Sequence, residues 1–570
     1  MKTGYWGLVA GVLLCTVGLE TAGADWRVWT VTATRRVLRD ETAEGGTAVK
    51  ISAAKNEWES FQILLRSDVA VKGVIVEVGD LRGPGGTVLR GGDVRLYRQH
   101  QMELTKGTYR NEAFKPGWYP DPLIPLRHPA TGEPLGESRF RAVPFDLPAE
   151  QTHGFWADIY VPAEARAGEY RGTYRVAAAD GKTVDVPVTL TVWDFVLPRV
   201  STLQTALGSP AGRMRGYYRE RAKEGKEKEP SDWDAVEKQC AEMLTEHRIN
   251  ATPWHGLEPE AQADGSFRIP DEQIARLREF VDRYHVNAID IRSPVGIVND
   301  PEKERDKLYA WLKAWDVAAA KLYRPGVTFY IYLKDEPNSE EEYKFVQKWG
   351  RAIREAKSVV KVMVVEQPWT EKGMGGADSA WGELYGAVDI WCPLFCLFRA
   401  ESAAKRQALG EVIWTYTALC QGSEPSPWWH IDYPLLNYRV PAWISWRYGI
   451  RGLLYWGGMS YWQQTTDPWT DAWTYGRPDG VYNGEGTIVY PARDVGYDGI
   501  VPSLRLKALR DSIEDYEYMA ILERKGLADE ARKVVEPLAE SWFKWQPDPA
   551  EYEKARTKLA EMIVGAAKRE

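Results

Sequence analysis

The 570-residue chain predicts a multidomain protein: an N-terminal all-β sandwich, then a (β/α)8 TIM barrel, then a C-terminal helical tail. Three observations carry that prediction. From Trp26 to about Pro198, apolar and polar residues alternate with period two between Gly/Pro/Asp clusters. From about 203 to 460, short apolar strands alternate with amphipathic helices about eight times. Beyond Ser503 only helical spacing is found. The expected boundaries are 1–24 for a leader, 25–200 for the sandwich, 201–500 for the barrel and 501–570 for the tail. At 44% hydrophobic and 27% charged the chain is globular, and its length exceeds one ordinary core.

The leader reads as a signal peptide. Lys2 precedes an apolar stretch from Leu8 to Leu19, and Ala22-Gly23-Ala24 forms a small-x-small cleavage pattern, so cleavage is expected near Ala24. The apolar stretch is short for a retained anchor, and no later segment is long and apolar enough to span a membrane. The expected location is secreted or periplasmic.

In the sandwich, FQILLRS (61–67), VKGVIVEV (71–78) and TVDVPVTLTVWDF (183–195) read as strands, with Asp180-Gly181 as a hairpin signal. In the barrel, TALG at Thr205 is the first strand and INATPW the second, followed by NAIDIR (287–292) as the third. Helices are expected from about Ser231, across Ile274 to Tyr284, and across Leu308 to Trp315, with Trp311 and Trp315 in the core. TFYIYLKD supplies strand four. Ser339 and Glu342 make a capping-box pattern for a helix that turns Trp349 inward. VKVMVVEQ, AVDIWCPLF, EVIWTYTAL and GLLYWGG are strands five to eight. In the tail, Leu506, Leu509, Ile513, Tyr516 and Met519 share one face, Gly526 ends that helix, and a last helix runs from about Ala550 to Ala567.

A net charge of −8 argues against nucleic acid or anionic membrane as a partner. Of the cysteines past the leader, Cys392 and Cys396 read as buried apolar residues, and neither the cysteines nor the scattered histidines have metal-ligand spacing. No metal and no cofactor are expected; oligomeric state is open.

The chemistry is expected at strand four, where an aromatic run ends in Asp335 and Glu336 and Pro337 stops it. Barrel enzymes place their sites at the C-terminal strand ends. A glycosidase of ordinary design takes a second carboxylate from the opposite side of the sugar. Strand seven has none at its end and offers Trp414 and Tyr416 instead. Adjacent carboxylates then suit a substrate-assisted route. In that route a 2-acetamido oxygen is the nucleophile, Asp335 orients the acetamido nitrogen and Glu336 protonates the leaving oxygen. Glu366, at the end of strand five, or Asp389 keeps a two-carboxylate mechanism open, and a glycan-binding protein without catalysis is the reading from another class. Twenty-six tryptophans, eleven of them between Trp381 and Trp473, suit sugar rings. Expected substrate contacts are Tyr332, Lys334, Glu366, Trp391, Trp414, Tyr416 and Trp456, with the loop Gln421 to Tyr433, carrying Trp428 and Trp429, as a lid.

NEWESFQILL (56–65), WYPDPLIPL (118–126), ADIYVPAEARAGEYRGTYRV (157–176), YLKDEPN, GLLYWGG and RLKALRDSIEDYEYM (505–519), in this order, resemble glycoside hydrolase family 123. The resemblance implies a sandwich, a (β/α)8 barrel and a retaining, substrate-assisted exo-β-N-acetylgalactosaminidase acting on glycans with a terminal amino sugar. Its catalytic Asp-Glu pair would fall on Asp335 and Glu336. WYPDPLIPL is expected either at the domain interface or over the barrel mouth, and Arg510, Asp511, Glu514 and Asp515 are expected to tie the tail to the barrel.

Overall fold

A computed structural model describes residues 26–253, 257–322, 326–368, 383–419, 425–477 and 480–567. The leader, Cys420 and the first residues of the expected lid lie outside them. Two sheets form the N-terminal sandwich. One runs, in spatial order, Trp26–Thr32, Glu57–Ser67, His153–Val161, Arg95–Leu104 and Gly117–Pro125. The other runs Val49–Lys55, Thr183–Val196, Gly168–Ala177, Val71–Val78 and Phe145–Leu147. Phe61, Ile63, Leu65, Phe155, Tyr174 and Val188 fill the space between them. The hairpin signal closes as expected: Ala177 pairs with Thr183, and Gly181 takes a φ of 86° that a side chain would resist.

Seven parallel strands make a nearly closed barrel. Around it run Gln204–Ala206, Gly452–Tyr455, Val412–Thr417, Ile390–Trp391, Lys361–Val365, Thr328–Asp335 and Ala288–Asp290. The expected second strand, INATPW, is not a strand over its described residues. Asn250 bridges the gap instead. Its backbone N–H donates to Thr205 Oγ1 (2.8 Å), and its amide nitrogen donates to Thr205 O (2.9 Å) and Asn287 Oδ1 (2.8 Å). Its side-chain carbonyl accepts from Asn287 N–H (3.1 Å). One residue thus supplies the pairing that a ladder would have given, and Pro253 is incompatible with continuing one.

The helices outside the barrel are α1 (Pro210–Lys223), α2 (Trp233–Glu246), α3 (Asp271–Arg283), α4 (Arg305–Lys321), α5 (Glu340–Glu355), α6 (Ala400–Gln407) and α7 (Leu436–Arg447). Helix α1 was not expected, because its face is mostly Arg, Glu and Tyr. Its start is nonetheless written in Ser209, which caps it, and Pro210 in the first turn. At α5, Ser339 Oγ accepts from Glu342 N–H (3.2 Å), and the Glu342 carboxylate accepts from Asn338 N–H (2.7 Å), one residue before the expected capping-box partner.

The tail comprises α8 (Leu504–Arg524), α9 (Ala528–Val535) and α10 (Pro549–Ala567). Helix α8 is buried almost all round, since it is wedged between sandwich and barrel. Arg505 ion-pairs with Asp121 of WYPDPLIPL (2.9 Å), and Leu123 N–H donates to Pro502 O (3.0 Å), so that string lies at the interface. Arg510 and Lys507 both hold Asp158 of the sandwich, at 3.1 and 2.5 Å. Asp515 turns the other way, to Arg439 of α7 (2.7 Å) and Arg556 of α10 (3.3 Å). The acidic-basic tail therefore ties to the barrel, as expected, and to the sandwich as well. Buried charges of this kind are tolerable only because each is paired.

Candidate active site

The C-terminal strand ends open into a cavity of about 790 Å3. Asp335 and Glu336 line it, together with Asp290, Tyr330, Tyr332, Tyr416, Tyr455, Trp456 and Tyr482. Local backbone chemistry presents the pair. A bulge between Tyr332 and Lys334 shifts the strand's phase just before Asp335. Glu336 then takes a left-handed φ of 38°, and Pro337 follows. Strain of that kind in a non-glycine residue collects at functional sites.

Each carboxylate accepts from a tyrosine. Tyr332 Oη donates to Asp335 Oδ1 (2.7 Å), and Tyr416 Oη donates to Glu336 Oε1. Burial, and then the neighbouring carboxylate, raise both phenols above their ordinary value, so they stay protonated donors. Among the described residues, no Lys or Arg ion-pairs with Asp335 or Glu336. The pair is exposed in the cavity and free to meet a ligand.

The expected contacts divide by strand phase. Tyr332, Tyr416 and Trp456 line the cavity. Trp414, two residues below Tyr416, also points inward but lies fully buried beneath the cavity, edge-on to Tyr330 at 5.2 Å. It fits because position 452 is glycine, where a Cβ would stand 2.3 Å from its ring. Trp391 faces the other way: its indole N–H donates to Glu411 (2.7 Å) in the layer between barrel and helices. The bulge turns Lys334 outward to Glu342 of α5 (2.5 Å). Glu366 is buried and is not among the cavity's lining residues, and Asp389 is held by Arg354 (3.1 Å) behind the sheet. The lid is corrected too. Trp428 and Trp429 are fully buried, and the Trp429 indole donates to Asn437 O (3.0 Å), so they are wall rather than cover. Cys392 and Cys396 are buried, as expected.

Three features went unanticipated. Asp290 ends the third strand inside the cavity. It is open to the cavity yet crowded by protein, and this burial pushes its carboxyl up to about 6, against an opposing hydrogen bond from the Tyr332 backbone. The second is Glu485, fully buried, which accepts from the Trp456 indole and so sets that ring's orientation. The third comes from the sandwich, whose loop brings Tyr109 and Arg110 to the cavity wall. Thr108 clasps Asp432 of the barrel through its N–H (2.7 Å) and hydroxyl (2.6 Å), and Asn111 adds a bond to the same carboxylate (3.0 Å). Among the described residues, no group of three or more His, Cys, Asp or Glu is placed to hold a metal ion.

Comparison with known proteins agrees with this architecture. The catalytic domain of glycoside hydrolase 123 matches residues 326–522, and the N-terminal domain of glycoside hydrolase 123 matches residues 34–178. No curated protein matches the chain. The structure of a family 123 glycoside hydrolase from Clostridium perfringens, reported for glycolipid glycan hydrolysis, superposes with a TM-score of 0.62 at 13% identity. That alignment covers 95% of this chain and 98% of the clostridial one. A family 39 glycoside hydrolase from Bacteroides cellulosilyticus has a TM-score of 0.29 at 10% identity, covering 84% of this chain and 82% of its own. A Bacteroides ovatus GH5 xyloglucanase has a TM-score of 0.27 at 7% identity, covering 85% and 100%. Likenesses that loose carry no argument. The two family 123 domains together span more than half of the sequence, in the order and at the places where sandwich and barrel stand, and the chain belongs to glycoside hydrolase family 123.

Proposed function

We propose that this glycoside hydrolase is an exo-acting, retaining β-N-acetylhexosaminidase that releases terminal β-linked N-acetylgalactosamine with the substrate's own acetamido oxygen as nucleophile. One observation carries the reading. The cavity is walled at strand seven by Tyr416, which donates its hydroxyl to Glu336, in the place where a nucleophilic carboxylate would otherwise stand. Adjacent Asp335 and Glu336 can then divide the work. Asp335 accepts from the acetamido N–H while the acetamido oxygen attacks C1. Glu336 gives its proton to the glycosidic oxygen as the C1–O bond breaks, and an oxazolinium forms. Water next attacks C1, Glu336 takes its proton, the ring opens, and the β-configured sugar leaves. With Tyr416 on Oε1, the other oxygen of Glu336 is available for that proton.

Two further features support a sugar site. Trp456 and Tyr482 line the cavity beside carboxylates, a combination that suits pyranose rings. The signal-peptide pattern of residues 1–24 supports action outside the cytoplasm. The deciding experiment offers the purified protein aryl β-GalNAc, β-GlcNAc and β-galactosides. Turnover of the 2-acetamido sugars alone, and inhibition by a thiazoline mimic of the oxazolinium, is expected; turnover of the galactoside at a comparable rate overturns the mechanism. The glycolipid glycans of the clostridial relative are the first natural substrates to try.

Asp290 favours a second reading. It is the third carboxyl of the cavity and could serve a two-carboxylate mechanism, a role that neither Glu366 nor Asp389 is placed to fill. Indifference to the 2-acetamido group would select it.

A further inference from the structure

We infer that Asp290 is the specificity-determining residue that reads the C4 hydroxyl of the terminal sugar, from the strand beside the one that carries the catalytic pair. The inference rests on the reading above for which end of the sugar faces Glu336. Strand register places Asp290 beside Tyr330, five residues before Asp335 on the neighbouring strand. At about 3.3 Å per residue, that sets it below the catalytic pair. The cavity residues around that level are Ala206, Ala288 and Leu454, which are apolar, and Thr205 and Tyr330, which carry hydroxyls but no charge.

Tyr332 gives the spacing. Its backbone N–H meets the Asp290 carboxyl and its hydroxyl meets Asp335. The two carboxyls thus stand at opposite ends of one tyrosine, a separation comparable with the span of one pyranose ring. A sugar whose C1 side lies at Asp335 and Glu336 directs its opposite edge, the C4 edge, at Asp290. A carboxyl there accepts a hydroxyl proton strongly, and a sugar that lacks the hydroxyl forfeits that bond, which is the condition for discrimination. A carboxyl that reads a free C4 hydroxyl favours a chain end over a mid-chain residue, whose O4 carries another sugar and no proton.

The test compares wild type and Asp290→Asn on aryl β-GalNAc and its 4-deoxy analogue. Wild type is expected to lose about 100-fold in kcat/KM when the hydroxyl is removed, whereas Asp290→Asn should lose at least ten times less, because its own deficit falls on the hydroxylated substrate. Equal losses for the variant on both sugars would assign Asp290 to the chemistry and overturn the inference, and so would an unaffected variant. Thermal melting shows that the variant is folded. If wild type prefers a sugar without the acetamido group, the mechanism fails, and the same 4-deoxy comparison on that sugar still decides Asp290. Binding of the free sugar and its 4-deoxy form, followed by saturation-transfer NMR, decides the same question without turnover: wild type should bind the 4-deoxy sugar far more weakly, and equal binding of the two overturns the inference.

Discussion

Two stretches carry nearly the same letters and lead opposite lives. At the barrel mouth, Lys334-Asp335-Glu336 follows an aromatic strand; in α8, Asp511 to Tyr518 interleaves acids with tyrosines. The α8 carboxylates are held by cations. Asp515 meets Arg439, Arg556 and the Trp443 indole (2.8 Å), and Glu514 meets Arg248 at 3.1 Å. The mouth carboxylates are exposed, and each takes a tyrosyl hydroxyl. An acidic group whose acceptor sites are filled by cations is part of the framework. One held by a neutral donor in an open cavity keeps capacity for a substrate. What separates them is who supplies the partners, and that depends on tertiary placement.

The contrast can be broken or sharpened by substitution. Glu336→Gln should give the largest effect, a fall of about 10³-fold to 10⁴-fold in kcat/KM on substrates with poor leaving groups, with much less loss on activated aryl leaving groups and almost no change in melting temperature. Arg510→Met should reverse that pattern. It takes a cation from the buried Asp158 and should cost about 3–5 kcal/mol of stability in denaturant unfolding, while kcat per folded molecule is unchanged. Tyr416→Phe removes the hydroxyl donated to Glu336 and should slow turnover roughly 10-fold, the worth of about one hydrogen bond to a charged group. A stability change as large as that of Arg510→Met would place Tyr416 with the framework instead. The smallest effect is a pH signature. Asp290 is raised in the folded state to about 6, so its contribution to stability is complete below the unfolded carboxyl value and is lost as pH rises through 6. Asp290→Asn should therefore melt slightly above wild type at pH 8 and level with it at pH 3.5. Asp158, held far below the carboxylate range despite its burial by Arg510 and Lys507, has the opposite sign, and its contribution should survive into acid.

The sandwich, the alternation of the barrel, the cap at Ser339 and the acidic pair were all legible in the sequence, because period and cap chemistry are local. The phase of each strand was not. Trp391 and Trp414 both read as pocket residues, yet Trp391 points outward and Trp414 lies one layer too deep. The bulge that sends Lys334 to α5 leaves no mark in a linear pattern. Asn250 hid a missing strand, since an amide that bridges two neighbours looks like any loop asparagine. Asp290 could have been found: NAIDIR places a carboxylate at the end of an apolar barrel strand, in phase with Ala288. Tyr109 could not, because only the fold brings a loop of the first domain to the second domain's site.

The wedge formed by α8 has a consequence for the order in which the molecule can be made. Glu57, Asp121 and Asp158 lie early in the chain, whereas Arg505, Lys507, Arg510 and Arg556 lie within its last seventy residues. A nascent chain therefore carries Glu57 and Asp158 without their cations until residues 507–556 have been made, whereas Asp121 already has Arg36 of its own domain (3.5 Å). Closure of the two domains is a late event, and a chain cut short before Arg505 lacks the cations that make burial of those acids tolerable. The wedge makes native assembly a check that synthesis has reached the tail.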